Sequence, residues 1–279
     1  MDLQQYCRDR VLVPGAGMYF SQHFLDPGSV SKLVVLQAFF IEIASIPERV
    51  SDVGVALSKL GWWIEEIGRS WQGEGRHPIS QAAEQEGISR LVSANDMVGL
   101  VNEVAGCIDQ EPHASLDELL AFCSAIGGMA ARLEAQVCAA GQDSLEAANQ
   151  FGTAHYMATL TRDIGMDARA GRWFIPMDLQ ARHQFSRDQA AAGNASDSFR
   201  GLVTTMANTA GDVIDQALES LSRPQQRQLR HLVIQAALDQ KLLGKMRANP
   251  NKILQQRMQL SPFASLWTVW RAARQPGVD

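Results

Sequence analysis

Apolar residues recur at three- and four-residue spacing along nearly the whole chain. The stretch Leu116–Ala140 (LDELLAFCSAIGGMAARLEAQVCAA) shows the pattern well. That period is the signature of amphipathic helix, and long period-2 runs of β-branched residues are absent. The pattern predicts an apolar helix over Val30–Ile46, stopped or kinked by Pro47. A second follows from about Val50 to Trp71, and a third opens at His77-Pro78 with proline in its first turn. Ser115 and Glu118 read as a capping box. The next helix starts at the Gly141–Ser144 turn and reaches about Ala168. An irregular loop, Gly171–Pro176, follows, and Asp188–Asp197 reads as a loop or helix start. Long helices are predicted at Ser198–Leu221 and Pro224–Ala248, and Ser261-Pro262 opens a last one. No internal repeat or linker interrupts the series. Residues 1–279 therefore read as a single all-α domain, a helical bundle.

Composition narrows the function. With 25 basic and 30 acidic residues the chain carries net charge −5. A non-specific nucleic-acid binder needs a basic face, so no nucleic-acid partner is expected. No run of about 18 apolar residues occurs, which predicts no membrane-spanning helix. The N-terminus, MDLQQYCRDR, is acidic at its second position and lacks an apolar core, so no secretory signal is expected. The four scattered cysteines predict neither disulfides nor a zinc site. A reducing, cytoplasmic setting follows as the expectation.

Candidate chemistry lies in Thr161-Arg162-Asp163-Ile164-Gly165-Met166-Asp167. Four-residue spacing puts Asp163 and Asp167 on one helix face. Two carboxylates held together repel unless a cation joins them. Magnesium takes such oxygen ligands and completes its shell with phosphates. Arg162, Arg169 and Arg172 stand ready for the same phosphates. On spacing alone, a solvated face of intrahelical ion pairs has precedence over this reading.

The wider stretch Gly152–Leu179 resembles the second aspartate-rich region of the squalene/phytoene synthase family, approximately G-x-A-x-Q-x-x-N-x-x-R-D-x-x-x-D-x-x-x-G-R-x-Y-x-P. Gly152, Ala154, Arg162, Asp163, Asp167, Gly171, Arg172 and Pro176 match it. Met18–Phe40, the Leu60-Gly61-Trp62-Trp63 to His77-Pro78-Ile79 segment and Leu243–Arg271 are similar to further family regions. The resemblance implies an isoprenoid-synthase-like bundle around a central cavity. It implies two aspartate-rich motifs that hold Mg2+ and prenyl diphosphates, such as farnesyl or geranylgeranyl diphosphate, joined head-to-head. In those terms Asp163 and Asp167 are the catalytic and metal-binding pair, and Arg162, Arg172, Tyr156, Phe40 and Glu48 bind substrate. Insoluble prenyl products imply peripheral membrane contact. The C-terminal Leu266–Arg271 stretch offers tryptophan and arginine for it, although packing of those tryptophans on the body is the plainer reading.

The chain departs from the family at the first aspartate-rich motif. Ala44 and Ser45 stand where two aspartates are expected, and only Glu48 remains acidic. Tyr156, Thr159 and Phe174 replace the pattern's Gln, Asn and Tyr. A non-synthase branch of the family, related to a mitochondrial respiratory complex I assembly factor, resembles the Phe39–Ala44 and Leu60–Trp63 segments. Three readings follow: a prenyl transferase, a non-catalytic binding or assembly protein, and a carrier of apolar chains without metal. Several residues also have plain structural readings. Glu42 pairs with a basic neighbour, Trp62 and Trp63 build core or cavity wall, His77 starts a helix, and His155 is satisfied by a polar group.

Overall fold

A computed structural model describes residues 2–108 and 112–274. Among these residues there is no strand. The principal helices are α1 (Leu3–Val11), α2 (Pro27–Ala44), α3 (Val53–Ser70), α4 (Pro78–Gln85), α5 (Ala94–Gly106), α6 (Leu116–Cys123), α7 (Met129–Val137), α8 (Gln142–Arg169), α9 (Asp197–Ser220), α10 (Arg230–Ala248), α11 (Asn251–Gln255) and α12 (Pro262–Ala273). Short side chains start many of them. Asp26 accepts from the Ser29 N–H, Asp52 from Val55 and Ser261 from Ala264. Each satisfies a donor that the first turn leaves unpaired.

The expected helices are present with shifted ends. Helix α2 breaks at Ser45, and Pro47 sits in the first turn of a new four-residue helix, Ile46–Arg49. The single helix expected over Pro224–Ala248 is two, Arg223–Gln228 and α10, divided at Leu229. The Ser115 box is half formed. Ser115 Oγ accepts from the Glu118 N–H, but the Glu118 carboxylate takes the Ala114 N–H at 2.7 Å. Asp188–Asp197 contains the end of a short helix, Arg187–Ala191, and then a loop.

Helix α8 is the axis of the molecule. Seventeen of its residues are buried, on all sides, as expected of a helix without one dominant apolar stripe. One core packs Phe151, Met157, Leu202, Met206 and Ile214 around it. A second core gathers the N-terminal helices through Leu33, Leu36, Phe39, Leu60 and Ile67. By length and composition alone α2 could cross a membrane, but Leu33, Val34, Val35, Leu36 and Phe39 are fully buried in this core. A third cluster seats Val269, Ala272 and Ala273 of α12 on Phe20, Ile234 and Leu238.

Buried polar groups tie the cores together. Glu134 on α7 accepts from Gln37 on α2 at 3.0 Å and lies 3.2 Å from His231 Nε2 on α10. Burial opposes the charge on His231, while Cys138 and Glu134 raise its pKa to about 10. Elsewhere the plain readings hold except at Trp62, which is 41 % exposed and lines neither core nor cavity, while Trp63 is buried in the N-terminal core. Glu42 pairs with Arg10 at 3.5 Å. His77 caps α4 and packs edge-on against Trp63. His155 Nδ1 lies 2.9 Å from Asp239.

Candidate active site

One face of α8 builds the site. Tyr156, Thr159, Leu160, Asp163 and Asp167 fall at helical spacing and line a cavity of about 320 Å³. Ala44, Pro47 and Glu48 form the opposite wall, Val104, Cys107 and Ile126 contribute from α5 and the turn before α7, and Arg172, Trp173 and Phe174 close it from the loop after α8. The volume lies at the small end of the range for one small-molecule ligand. Phe122 stacks on Phe174 and meets Tyr156 edge-on behind this lining.

The two aspartates sit in a nest of guanidinium groups. Asp163 is 6 % exposed. Arg162 donates to both its oxygens, at 2.9 and 2.7 Å. Arg257 makes the same fork from the segment after α11, also at 2.9 and 2.7 Å. Burial pushes the Asp163 carboxyl up, and the two forks more than reverse it, leaving the pKa below the ordinary value. Arg172 donates twice to Oδ1 of Asp167, at 3.1 and 2.6 Å. Here burial wins. With the charges of Asp163 and Glu48 adding to it, the Asp167 pKa is raised despite Arg172.

Two glycines make this geometry accessible. Gly165 lies between the aspartates, and a Cβ there would stand 2.7 Å from both the Ile253 carbonyl oxygen and Leu254 Cα. Its absence lets α11 approach α8 closely enough for Arg169 to donate to the Leu254 carbonyl at 2.6 Å and for Arg257 to reach Asp163. Gly171 adopts φ +81°, a left-handed turn that L side chains disfavour. It folds the chain back so that Arg172 meets Asp167 through both backbone and side chain.

The structure brings Asp163, Asp167, Arg172, Tyr156 and Glu48 to one cavity. Arg162 stands beside it and reaches it through Asp163. Phe40 is half-buried against the N-terminal core and is not among the lining residues. Arg169 holds backbone in α11. Arg257, Trp173 and His113 belong to the site but escape sequence reasoning. Arg257 falls inside the family-like Leu243–Arg271 stretch but is not singled out there; the signal that could have found it is that a buried acid such as Asp163 demands a cation.

Magnesium can be tested against these donors. Both oxygens of Asp163 are taken by arginines. Oδ2 of Asp167 and the exposed Glu48 carboxylate carry no hydrogen bond among the described residues. No group of three or more His, Cys, Asp or Glu able to hold a metal occurs among the described residues. Ala44 lines the cavity and brings no oxygen ligand from its side chain. The donors fit one ion arriving with a diphosphate, which needs only one or two carboxylates. They do not fit a second ion on the Ala44 wall. The Trp173 indole N–H, on a residue that lines this cavity, is buried without a partner among the described residues.

Comparison with known proteins supplies the context. The family model "Squalene/phytoene synthase" matches residues 15–264. A phytoene synthase of Thermus thermophilus is 26 % identical over 104 residues, 37 % of this chain and 36 % of its own. A chloroplastic phytoene synthase of Narcissus pseudonarcissus is 23 % identical over 181 residues, 62 % of this chain and 43 % of its own. The matches thus span less than half the length of these relatives. A squalene synthase from Alicyclobacillus acidocaldarius superposes with TM-score 0.74 at 18 % identity, covering 88 % of this chain and 93 % of its own. A ligand-bound dehydrosqualene synthase superposes with TM-score 0.84 at 14 % identity, covering 97 % and 95 %. At those identities the structures establish the fold alone.

Proposed function

The chain belongs to the squalene/phytoene synthase family, and we propose that it binds one prenyl diphosphate, such as farnesyl or geranylgeranyl diphosphate, in the cavity along α8. One observation carries the reading. A single helix face delivers two aspartates, three arginines gather on those aspartates, and the same cavity continues over apolar Leu160, Ile126, Val104 and Phe174.

A diphosphate competes for the arginines. Guanidinium forks match phosphate oxygens as well as carboxylates. As Arg162, Arg257 and Arg172 turn toward phosphate, the oxygens of Asp163 and Asp167 are released. Those residues, with Glu48, would then hold a magnesium ion carried on the diphosphate. Bound there, the ion supplies charge neutralisation at a departing diphosphate. The apolar walls exclude water from the prenyl chain. The Tyr156 phenol stays protonated, because burial raises its pKa, and it serves as a neutral donor.

Head-to-head condensation requires a second diphosphate. The Ala44 wall offers no carboxylate pair for it, which favours holding one substrate without condensation. Thermal unfolding tests the binding claim. Farnesyl or geranylgeranyl diphosphate with magnesium should stabilise the protein by about 4 kcal/mol at a thousandfold excess over Kd, and Asp163→Asn should abolish the gain. Absence of stabilisation refutes the reading. Extraction of a condensed C30 or C40 hydrocarbon from the same mixture would overturn the one-substrate statement and leave the binding claim intact.

A further inference from the structure

A second polar group stands on α8 beside the cavity. His155, Thr159 and Arg162 fall at i, i+4 and i+7 and share one stripe of the helix. Thr159 lines the cavity, and Arg162 reaches it through Asp163, so the stripe borders it. His155 is the far end of the stripe, about 10 Å from Arg162 along the helix axis.

The setting of the ring is asymmetric. Asp239 on α10 is buried, at 4 % exposure. Its oxygens lie 3.1 and 2.9 Å from His155 Nδ1. Gln235, one turn away on α10, donates to Asp239 Oδ1 at 2.9 Å. Gly17 leaves the space that this amide fills, since a Cβ there would fall 1.6 Å from Gln235 Oε1. The imidazole is open by contrast. Its side chain is 47 % exposed, and Nε2 carries no hydrogen bond among the described residues. A pair that served packing alone would hide both members, because a buried carboxylate is costly unless it is answered. Here a buried acid fixes the tautomer and direction of an open ring, which leaves Nε2 for a ligand.

Charge selects the kind of ligand. Burial opposes the charge on His155, while the charge and hydrogen bond of Asp239 favour it. Arg162 on α8 opposes it and Glu134 on α7 adds to it, and the balance raises the pKa above the ordinary value. Nε2–H is thus a donor over more of the neutral range. The His155–Asp239 pair is neutral as a whole, and Glu134 adds negative charge, so a second anion is disfavoured there. A neutral hydroxyl oxygen accepts from Nε2–H without that repulsion. An extended chain advances about 1.2 Å per bond, so the main chain of a geranyl group spans the distance from Arg162 to His155.

We propose that His155 is a specificity contact for a hydroxyl group at the far end of the prenyl chain, which makes a terminally hydroxylated short prenyl diphosphate the preferred ligand. Asp239 and Gln235 are its positioning residues. The proposal rests on the reading of the α8 cavity as a diphosphate site.

Calorimetric titration of the full chain, with magnesium present, tests it. The probes are geranyl diphosphate and the same molecule with a hydroxyl or a carboxylate on its terminal carbon. The hydroxylated probe should bind about tenfold tighter than geranyl diphosphate, as one charge-assisted hydrogen bond allows. His155→Phe should bring that ratio to about one. Asp239→Asn should reduce it and move its loss on raising the pH to a lower pH, which a merely structural role would not do. Circular dichroism checks the fold of each variant, and His155→Gln gives a second measurement should His155→Phe unfold. Equal affinity of the two probes for the wild-type chain overturns the proposal and leaves the cavity reading intact, as does a preference that survives in folded His155→Phe. Tightest binding of the carboxylated probe overturns the choice of a neutral group. If no probe binds the wild-type chain, the cavity reading fails and the proposal with it.

Discussion

The two walls of the cavity differ in how they carry charge. The α8 wall keeps both aspartates, and every charge on it is answered: four guanidinium N–H groups on Asp163 and two on Asp167. The other wall has Ala44, Pro47 at a helix break and one exposed carboxylate, Glu48. The difference shows which charges the fold itself needs. Arginines that grip Asp163 also pin α11 to α8, so that half-site is part of the structure. On the Ala44 side, Glu48 makes no hydrogen bond or ion pair among the described residues, so no charge there ties helix to helix.

The largest effect should come from breaking the α8 wall. Asp163→Ala leaves Arg162 and Arg257 without their shared carboxylate, and because both guanidiniums keep contact with solvent the cost should be about 2–3 kcal/mol. Urea unfolding would measure it. Asp163→Asn, which keeps an acceptor, should cost less. Next comes Gly165→Ala. Its Cβ would meet the Ile253 carbonyl oxygen at 2.7 Å, so α11 must shift, at about 1–3 kcal/mol. Arg257 moves with it, and diphosphate affinity measured by calorimetry should fall as well.

A pH series probes the bond between the cores that carry the two walls. The folded pKa of His231 is about 10, above its ordinary 6.5. The stability from its pairing with Glu134 is therefore fully present below about pH 6.5 and lost as pH rises through 10. The melting temperature should decline over that interval, and His231→Gln should flatten the decline. The smallest effect on stability belongs to Ala44→Asp, at an exposed position, within about 0.5 kcal/mol. Its value lies in sharpening the contrast between the walls: a carboxylate returned there should strengthen magnesium binding in the presence of diphosphate.

Much of this was legible in the sequence. The helices follow from three- and four-residue apolar spacing, and Asp163 and Asp167 share a face because they are four apart. The matching of Gly171 and Arg172 to the family pattern pointed to the loop that closes the cavity. What escaped was non-local. Arg257 lies 94 residues from Asp163 in sequence, and only the close approach over Gly165 joins them. Arg162 and Arg172 pair with Asp163 and Asp167, the ion pairs that spacing alone puts first, although the carboxylates are buried rather than solvated. Phe40, a substrate contact in the terms of the resemblance, packs against the N-terminal core and does not line the cavity. For Trp267 and Trp270 the plainer reading, packing on the body, fails: both are exposed, and with apolar residues on both faces of α12 periodicity cannot tell which face the body takes.

The central claim is that the α8 wall is a diphosphate site where magnesium is held only when a diphosphate supplies phosphate oxygens and draws the arginines off Asp163, the free Asp167 Oδ2 and Glu48 being too few alone. Calorimetric titration of magnesium into the protein, alone and with a saturating non-hydrolysable farnesyl diphosphate analogue, tests it directly. The account predicts no magnesium binding to the free protein, saturable binding of one ion per chain with the analogue present, and loss of that binding in Asp167→Asn. Tight magnesium binding without the analogue, or no binding of the analogue at all, would contradict it.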